Sequence, residues 1–231
     1  MNRNMKTIKL TKPMLFSTPM IKALLDGSKN QTRRIVKHGM DISQMTFAGF
    51  REDQAYFKDE KGLWGMKFTT NVGDVIWCRE TFGILQPTHA TPQGTNYDGT
   101  YHYKADYGNE KPKWDEGAFE FDGWKPSLFM PKQACRLFLE VTNIRVERLN
   151  DISESDAVAE GIINDTPSLP DEDSVWRDYN PPKWEILVKG LASPIDSYKS
   201  LWESINGKGS WDINPFVFVY DFKVVERPVN F

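Results

Sequence analysis

A phase shift in the hydrophobic pattern near the middle of the chain restricts the folds that it can adopt. Apolar side chains occupy every second position over residues 137–141 and again over 144–146, but the second run is one residue out of phase with the first. A period of two predicts a β-strand, and the shift predicts a β-bulge at Thr142-Asn143 within one long bent strand. Because such bends let a sheet curl, the pattern favours a barrel.

The remaining elements agree with a small mixed fold. Ser153 begins a short helix that ends at Gly161, and Ser193-Pro194 begins another that ends at Gly207. The last strand, residues 216–222, is apolar on both faces, as expected for a strand with cover on each side. Strands outnumber helices, and the helices are short. We therefore predict an α+β fold in which a few short helices pack against a small mixed β-barrel.

Length and composition favour one domain. The chain has 231 residues, of which 39% are hydrophobic and 26% charged, so it can bury a core and is not a disordered chain. No apolar run is long enough to cross a bilayer, and no secretory signal is evident. Two segments rich in glycine, proline and polar residues, at about 83–125 and 163–192, are predicted to be loop insertions within this single domain of residues 1–231.

The cysteines and histidines argue against a disulfide framework and a metal centre. Cys78 and Cys135 are the only two cysteines, which is typical of a protein in the reducing cytoplasm, and we predict that both are buried as small apolar residues. His38, His89 and His102 are too scattered to suggest a shared metal ion. We expect neither a metal nor a cofactor.

A short stretch near the start of the chain concentrates functional side chains. Ile21, Leu24 and Leu25 have the spacing of one buried helix face. Thr18 is placed to cap this helix and Gly27 to end it. Directly after Gly27 comes a group of cationic and hydroxyl side chains, Lys29, Thr32, Arg33 and Arg34.

The charge of the chain is unevenly distributed. Residues 1–37 carry nine Lys or Arg and one acid, a net +8 within a chain whose net charge is −3. Such a basic patch suits a small anionic ligand or one segment of nucleic acid. The alternative interpretation is a solvated basic turn without a ligand.

Several blocks of sequence, in order, resemble those of the ASCH family in the PUA-like superfamily. The most specific is the G-x-K-x-x-T-x-R block of residues 27–34, and Val72-Gly73-Asp74-Val75 follows it. The other blocks are residues 139–142, residues 156–161 and the closing strand. The chain also resembles longer ASCH-like proteins of phages and prophages at residues 77–81 and 209–212.

This resemblance implies a fold and an activity. PUA-like proteins form a β-barrel whose cleft binds RNA or a nucleoside. Some short bacterial ASCH proteins are amidohydrolases that remove the acetyl group from N4-acetylcytidine with a lysine, a threonine and a glutamate. By motif position these residues are Lys29, Thr32 and Glu160 in this chain. The two insertions have no counterpart in the short members.

Amide hydrolysis requires a nucleophile, a base, an oxyanion donor and an acid for the leaving amine. We assign Thr32 as the nucleophile and Lys29 as its base, because desolvation beside Arg33 and Arg34 would lower the pKa of this lysine. Glu160 then orients Lys29 or protonates the leaving amine. In the alternative assignment, Glu160 is the base for a water molecule and Lys29 holds the oxyanion.

Six residues are candidates for substrate binding. Arg33 and Arg34 belong to the basic group, whereas Arg79 and Glu80 leave the end of a predicted buried strand, a frequent place for site residues. Arg79 and Glu80 suit a structural ion pair equally well. Phe129 and Trp211 offer aromatic faces on which a nucleobase can stack.

Three functions follow from these observations. The leading hypothesis is an amidohydrolase for N4-acetylcytidine or related N4-acylcytosine nucleosides. The alternatives are a non-catalytic module that binds RNA or a modified nucleobase, and a ribonuclease that uses the same lysine and glutamate. We expect a modified cytidine nucleoside or RNA as the partner and no association with a membrane.

Overall fold

The computed structural model of the chain describes residues 12–37, 39–52, 54–68, 70–87, 100–108, 110–113, 119–166, 174–181, 190–229 and 231. Its strands are β1 (Met14–Leu15), β2 (Gln31–Ile35), β3 (Thr46–Arg51), β4 (Gln54–Asp59), β5 (Gly62–Lys67), β6 (Val75–Arg79), β7 (Phe82–Pro87), β8 (Thr100–Tyr103), β9 (Phe119–Phe121), β10 (Phe138–Arg148) and β11 (Phe216–Val225). Its α-helices are α1 (Thr18–Leu25), α2 (Lys104–Tyr107), α3 (Glu154–Ala159) and α4 (Pro194–Asn206). Short 3₁₀ turns lie at Ser127–Phe129, Lys132–Ala134 and Leu149–Asp151.

A five-stranded sheet forms the centre of the fold. Its strand order is β1-β6-β10-β11-β2, with β1 parallel to β6 and the other neighbours antiparallel. The register of the long pair β10 and β11 shifts between Val141 and Asn143. The β-bulge predicted at Thr142-Asn143 is therefore confirmed. Strand β2, which carries Thr32, lies at an open edge of this sheet.

The mixed α+β class is confirmed, but no closed barrel is found among the described residues. The strands outside the central sheet form two separate three-stranded sheets, β3-β4-β5 and β8-β7-β9. In the central sheet, β1 and β2 are the two edges and do not pair with each other, and β1 is only two residues long. The bulge thus bends β10 without rolling these five strands into a cylinder.

The first predicted loop insertion contains more regular structure than expected. Strands β7, β8 and β9 form a sheet there, with Phe82 opposite Tyr103 and Leu85 opposite Phe121. Short strands of this kind are stabilised by pairing with one another, which a local sequence pattern does not reveal. In the second insertion, the described residues include bridges from Trp176 to Asn164 and Leu191. Residues 88–99, 109 and 114–118 of the first insertion and residues 167–173 and 182–189 of the second lie outside the described residues.

Two apolar cores lie on opposite faces of the central sheet. Residues 218, 220 and 222 of β11 pack in the core that also contains the buried face of α1. Val217 and Val219 point the other way and pack in a second core with α4. This alternation confirms the prediction that β11 is covered on both faces.

Helix α1 matches its prediction in position but differs at its start and in its buried face. Ser17 rather than Thr18 is the N-cap residue, and its side chain makes no capping hydrogen bond. Ile21 and Leu24 are buried as predicted, whereas Leu25 is 49% exposed, because it lies 100° around the helix from Leu24. Gly27 follows the C-cap residue with φ at +81°, so it ends the helix as predicted.

Candidate functional site

The end of helix α3 brings Glu160 to Lys29. Glu160 is the C-cap residue of α3. The carbonyl of Ala159 accepts a hydrogen bond from the amide of Asn30 at 3.0 Å, and Lys29 and Glu160 form an isolated antiparallel bridge. The amide of Lys29 also donates to the carbonyl of Ala23 at 2.9 Å. Backbone hydrogen bonds therefore hold the end of α3 against the segment that joins α1 to β2.

Gly161 permits this close approach. Its φ of +81° lies in the region that favours glycine. A Cβ atom at this position would lie 2.7 Å from the Cβ atoms of both Ala23 and Lys29, well inside contact distance. Glycine is thus required here both for the turn after α3 and for the packing of α3 against Lys29.

Lys29 and Glu160 form a buried ion pair. Lys29 Nζ lies 2.7 Å from Glu160 Oε2, and each residue is 1% exposed. Nζ also donates to the backbone carbonyls of Gln31 at 2.8 Å and Glu160 at 2.7 Å. These three hydrogen bonds account for the three hydrogens of an ammonium group, so the amine has a single fixed position.

Burial changes the affinity of Lys29 for its proton. Desolvation lowers the pKa of the Lys29 amine and outweighs the Glu160 carboxylate, which raises it. Repulsion from Arg34 and Arg33 lowers the pKa of Lys29 further. The direction agrees with the sequence-based assignment, but burial rather than the two arginines is the main cause.

Arg33 extends the ion pair into a network. Its guanidinium lies 3.2 Å from Glu160 Oε1, 2.7 Å from Glu147 Oε1 and 3.0 Å from Asp156 Oδ2. Burial acts to lower the pKa of Arg33, but Glu160 and Glu147 outweigh it, so the pKa is raised. Arg33 is therefore a fixed cation whose donors are committed to carboxylates rather than to an anionic ligand.

Asp156 joins this network to the central sheet. Arg145 of β10 lies 2.7 Å from Asp156 Oδ2 and 3.1 Å from Asp221 Oδ2. The side-chain amide of Gln31 donates to Asp156 at 3.0 Å and to Asp221 at 2.7 Å. Burial acts to raise the pKa of Asp156, but Gln31, Arg145 and Arg33 outweigh it, so the pKa is lowered.

A cavity of about 70 Å³ adjoins this network at the open edge of β2. Thr32 and Arg33 both line it, although successive side chains of a strand point to opposite faces. Its apolar lining comes from α1, β2 and α4, through Met20, Ile35, Leu201 and Ile205. Its other polar lining residues are Arg34, Glu160, Tyr198, Trp202 and Asn206.

The structure brings together five of the nine residues proposed from sequence. Thr32, Arg33, Arg34 and Glu160 line the cavity. Lys29 does not line the cavity, but it contacts the lining residue Glu160. Thr32 and Glu160 of the proposed catalytic set therefore both line one cavity, and the amine of Lys29 supports the carboxylate of Glu160.

Arg79, Glu80, Phe129 and Trp211 do not line this cavity. Glu80 is buried and pairs with Arg136 at 2.9 Å, so it belongs to a structural ion pair, with a different partner from the one predicted. Arg79 donates to the backbone carbonyl of residue 128 at 3.0 Å. Phe129 is 68% exposed, and Trp211 is buried in the second core. The cavity gives none of these four a role in binding a ligand.

Tyr198 and Trp202 are the cavity residues that sequence reasoning missed. Their spacing on α4 is typical of one buried helix face, and both are buried. However, the Tyr198 hydroxyl also lies 3.5 Å from Glu160 Oε1, and Trp202 lines the cavity. A buried tyrosine or tryptophan carries a polar atom that needs a partner, and this need is the signal that points to a polar neighbour.

The two cysteines do not contribute to the cavity. Cys78 and Cys135 are buried and carry free thiols. Burial raises the pKa of both thiols, which disfavours the reactive thiolate form. Both therefore act as small buried residues, as predicted.

Comparison of the chain with family models, with characterised proteins and with solved structures gave no match. Within the described residues, no group of three or more histidine, cysteine or acidic side chains is arranged to hold a metal ion. His38 and His89 lie outside these residues. None of the described helices is both long and apolar enough to span a membrane.

Proposed function

We propose that the chain is an ASCH-like amidohydrolase that removes the acyl group from N4-acetylcytidine or a related N4-acylcytosine nucleoside. The observation that carries this proposal is the buried Lys29–Glu160 pair, whose carboxylate shares a cavity with Thr32. A hydroxyl, an amine of lowered pKa and a carboxylate are the groups that amide cleavage by a covalent route needs. In the same proposal, the bent central sheet is the counterpart of part of a PUA-like barrel.

The first step joins Thr32 to the acyl carbon as a tetrahedral oxyanion, because the π electron pair of the carbonyl moves to its oxygen, and the ester forms when this oxyanion collapses. A proton moves from Lys29 Nζ to Glu160 Oε2 over 2.7 Å, and burial, which lowers the pKa of Lys29, acts in the direction of this transfer. The neutral amine accepts the hydroxyl proton of Thr32 while Thr32 Oγ bonds to the acyl carbon. Nζ already donates to the carbonyl of Gln31, so the amine lies beside the peptide group that carries Thr32.

The carbon–nitrogen bond then breaks. Its electron pair stays on the cytidine N4 atom, which takes the proton held by Glu160. Arg34 lines the cavity, and its Nε has no hydrogen-bond partner among the described residues, so it is the donor assigned to the oxyanion. Water finally attacks the acyl ester of Thr32, releases a carboxylic acid and restores the hydroxyl.

The size of the cavity determines how a nucleoside sits. The enclosed 70 Å³ is well below the ~300–1,000 Å³ of ordinary ligand pockets. The acyl amide and the adjoining edge of the base therefore enter, and the sugar stays outside. Ile205 is 52% exposed and, with the exposed Asn206, forms the rim past which the sugar extends.

The test is conversion of N4-acetylcytidine to cytidine by the purified chain, followed by chromatography. Thr32→Val keeps the shape of the side chain and removes the hydroxyl, so we expect a loss in kcat of more than about a thousandfold. Thr70→Val is the matched control, because Thr70 is equally buried and does not line the cavity. Failure of the unaltered chain to hydrolyse any N4-acylcytosine nucleoside would overturn the proposal.

A second candidate function, binding of RNA without catalysis, has one observation in its favour. A groove of about 430 Å³ is lined by Lys22, Lys104 and Arg177, with Asp26 as its acid. Three cations in one groove suit a phosphate backbone. This function predicts salt-dependent RNA binding that survives Thr32→Val and weakens in Lys22→Ala.

A further inference from the structure

Trp202, which lines the cavity, has an unsatisfied hydrogen-bond donor. The residue is 5% exposed and lines the cavity, and its Nε1 has no hydrogen-bond partner among the described residues. The indole N–H is a donor only, and buried tryptophans usually pair it. An unpaired buried donor costs about 1–3 kcal/mol of desolvation, so this one calls for an explanation.

The cavity offers Trp202 no free carboxylate. Glu160 Oε2 accepts from Lys29, and Glu160 Oε1 accepts from Arg33 and Tyr198. Arg34 Nε is a second donor without a partner in the described part of the chain. Trp202 Nε1 and Arg34 Nε, two donors of residues that line the cavity, therefore lack acceptors among the described residues, and a ligand that brings hydrogen-bond acceptors of its own would satisfy them.

The position of Trp202 along α4 indicates where one acceptor lies. Tyr198 contacts Glu160, and Trp202 follows four residues later, about 6 Å further along the helix axis. Ile205 and Asn206, at the exposed rim, come after it. Trp202 thus lies along α4 between Tyr198, which contacts Glu160, and the rim residues.

We propose that Trp202 is a recognition residue whose indole N–H binds a carbonyl oxygen of the ligand that is not cleaved. In an N4-acylcytosine this atom is the C2 carbonyl oxygen of the base, which lies two ring positions from the carbon that carries the acyl amide. Arg34 then donates a hydrogen bond to the acyl carbonyl, and Trp202 donates one to the ring carbonyl. This inference rests on the proposed function, since the identity of the ligand comes from it.

The first test compares two substrates. N4-acetylcytosine and 4-acetamidopyrimidine share the amide and the ring, but only N4-acetylcytosine has the C2 carbonyl. We expect the unaltered chain to prefer N4-acetylcytosine by about five- to tenfold in kcat/KM, as for loss of one neutral hydrogen bond. Trp202→Phe should reduce this preference to near one, and the lining variant Ile205→Ala should keep it. An unchanged preference in a folded Trp202→Phe variant would overturn the inference.

A second measurement detects binding to the unaltered chain directly. It requires neither hydrolysis of the ligand nor binding of the ligand to the Trp202→Phe variant. Each of the eight tryptophans gives one indole N–H signal in a ¹⁵N-correlation spectrum, and Trp202→Phe identifies that of Trp202. N4-acetylcytidine should move this signal, and 4-acetamidopyrimidine should move it less. If the signal moves without any hydrolysis, the amidohydrolase proposal fails and the recognition role stands. If it stays fixed at saturating N4-acetylcytidine, the recognition role fails whether or not hydrolysis occurs.

Discussion

Lys29 Nζ and Glu160 Oε2 lie 2.7 Å apart although the two residues are separated by 131 positions in the chain. Both are almost completely buried, so each charge depends on the other for its stability. Removing one partner of a buried pair leaves an uncompensated charge, whereas removing both does not. This asymmetry gives the first prediction.

Lys29→Met should destabilise the chain by about 3–5 kcal/mol in urea unfolding, because the Glu160 carboxylate loses its cation. The double variant Lys29→Met/Glu160→Gln should recover part of this loss. Lys22→Met is the matched control, since Lys22 is exposed, and it should change stability by less than about 0.5 kcal/mol. Equal effects of the two single substitutions would contradict a buried ion pair.

Gly161→Ala and Gly27→Ala separate two effects of a methyl group. Both glycines have φ at +81°, so both variants carry the same backbone strain, about 1 kcal/mol. Only at Gly161 would the new Cβ meet neighbouring atoms at 2.7 Å, whereas nothing lies within 4 Å at Gly27. Gly161→Ala should therefore unfold at a clearly lower urea concentration than Gly27→Ala. Equal urea midpoints for the two variants would show that the turn after α3 does not pack closely against Lys29.

Stability should depend on pH through Asp156. Its pKa in the folded chain is lowered from 3.8, so the unfolded chain binds a proton more readily than the folded chain does. The resulting stabilisation is complete above the unfolded pKa and is lost as pH falls through the folded pKa. Asp156→Asn should thus lose less stability between pH 7 and pH 3 than the unaltered chain, by about 1 kcal/mol or less for a partly exposed group. Parallel stability curves would rule out this role for Asp156.

Phe129→Ala should leave the chain unchanged. Phe129 is 68% exposed and does not line the cavity, so we expect unfolding free energies within about 0.5 kcal/mol and kcat/KM within about twofold of the unaltered chain. A loss of tenfold or more with N4-acetylcytidine would mean that the ligand reaches Phe129. The sequence-based stacking role would then be restored.

The sequence predicted the elements whose signals are local. The β-bulge at Thr142-Asn143, the two helices capped by Ser153 and Ser193, and the closing strand are all present. Each depends on a period or on a cap within a few residues. The closure of the sheet depends on whether β1 and β2 pair, and nothing local in the sequence decides that.

The candidate site was predictable only through the resemblance. Lys29 and Thr32 are close in sequence, but no local pattern places Glu160 beside them, because that contact depends on how α3 ends against Lys29. For Arg79 and Glu80, by contrast, the local sequence suggested a contact that the structure does not contain. Their adjacency in sequence suggested a pair, but the carboxylate of Glu80 turns to Arg136, which is 56 positions away.

The bulge in β10 has a consequence for the site as well as for the shape of the sheet. Side chains of a strand alternate between faces, so one extra residue reverses every side chain beyond it. Ile144 and Val146 consequently pack in the same core as Val141, whereas Arg145 and Glu147 reach the carboxylates and arginine of the ionic network. Deleting the single residue Thr142 would exchange these two sets. The charged side chains would then face the apolar core, and the apolar side chains would face Arg33. The bulge in β10 therefore keeps the apolar and the ionic side chains on opposite faces of the strand.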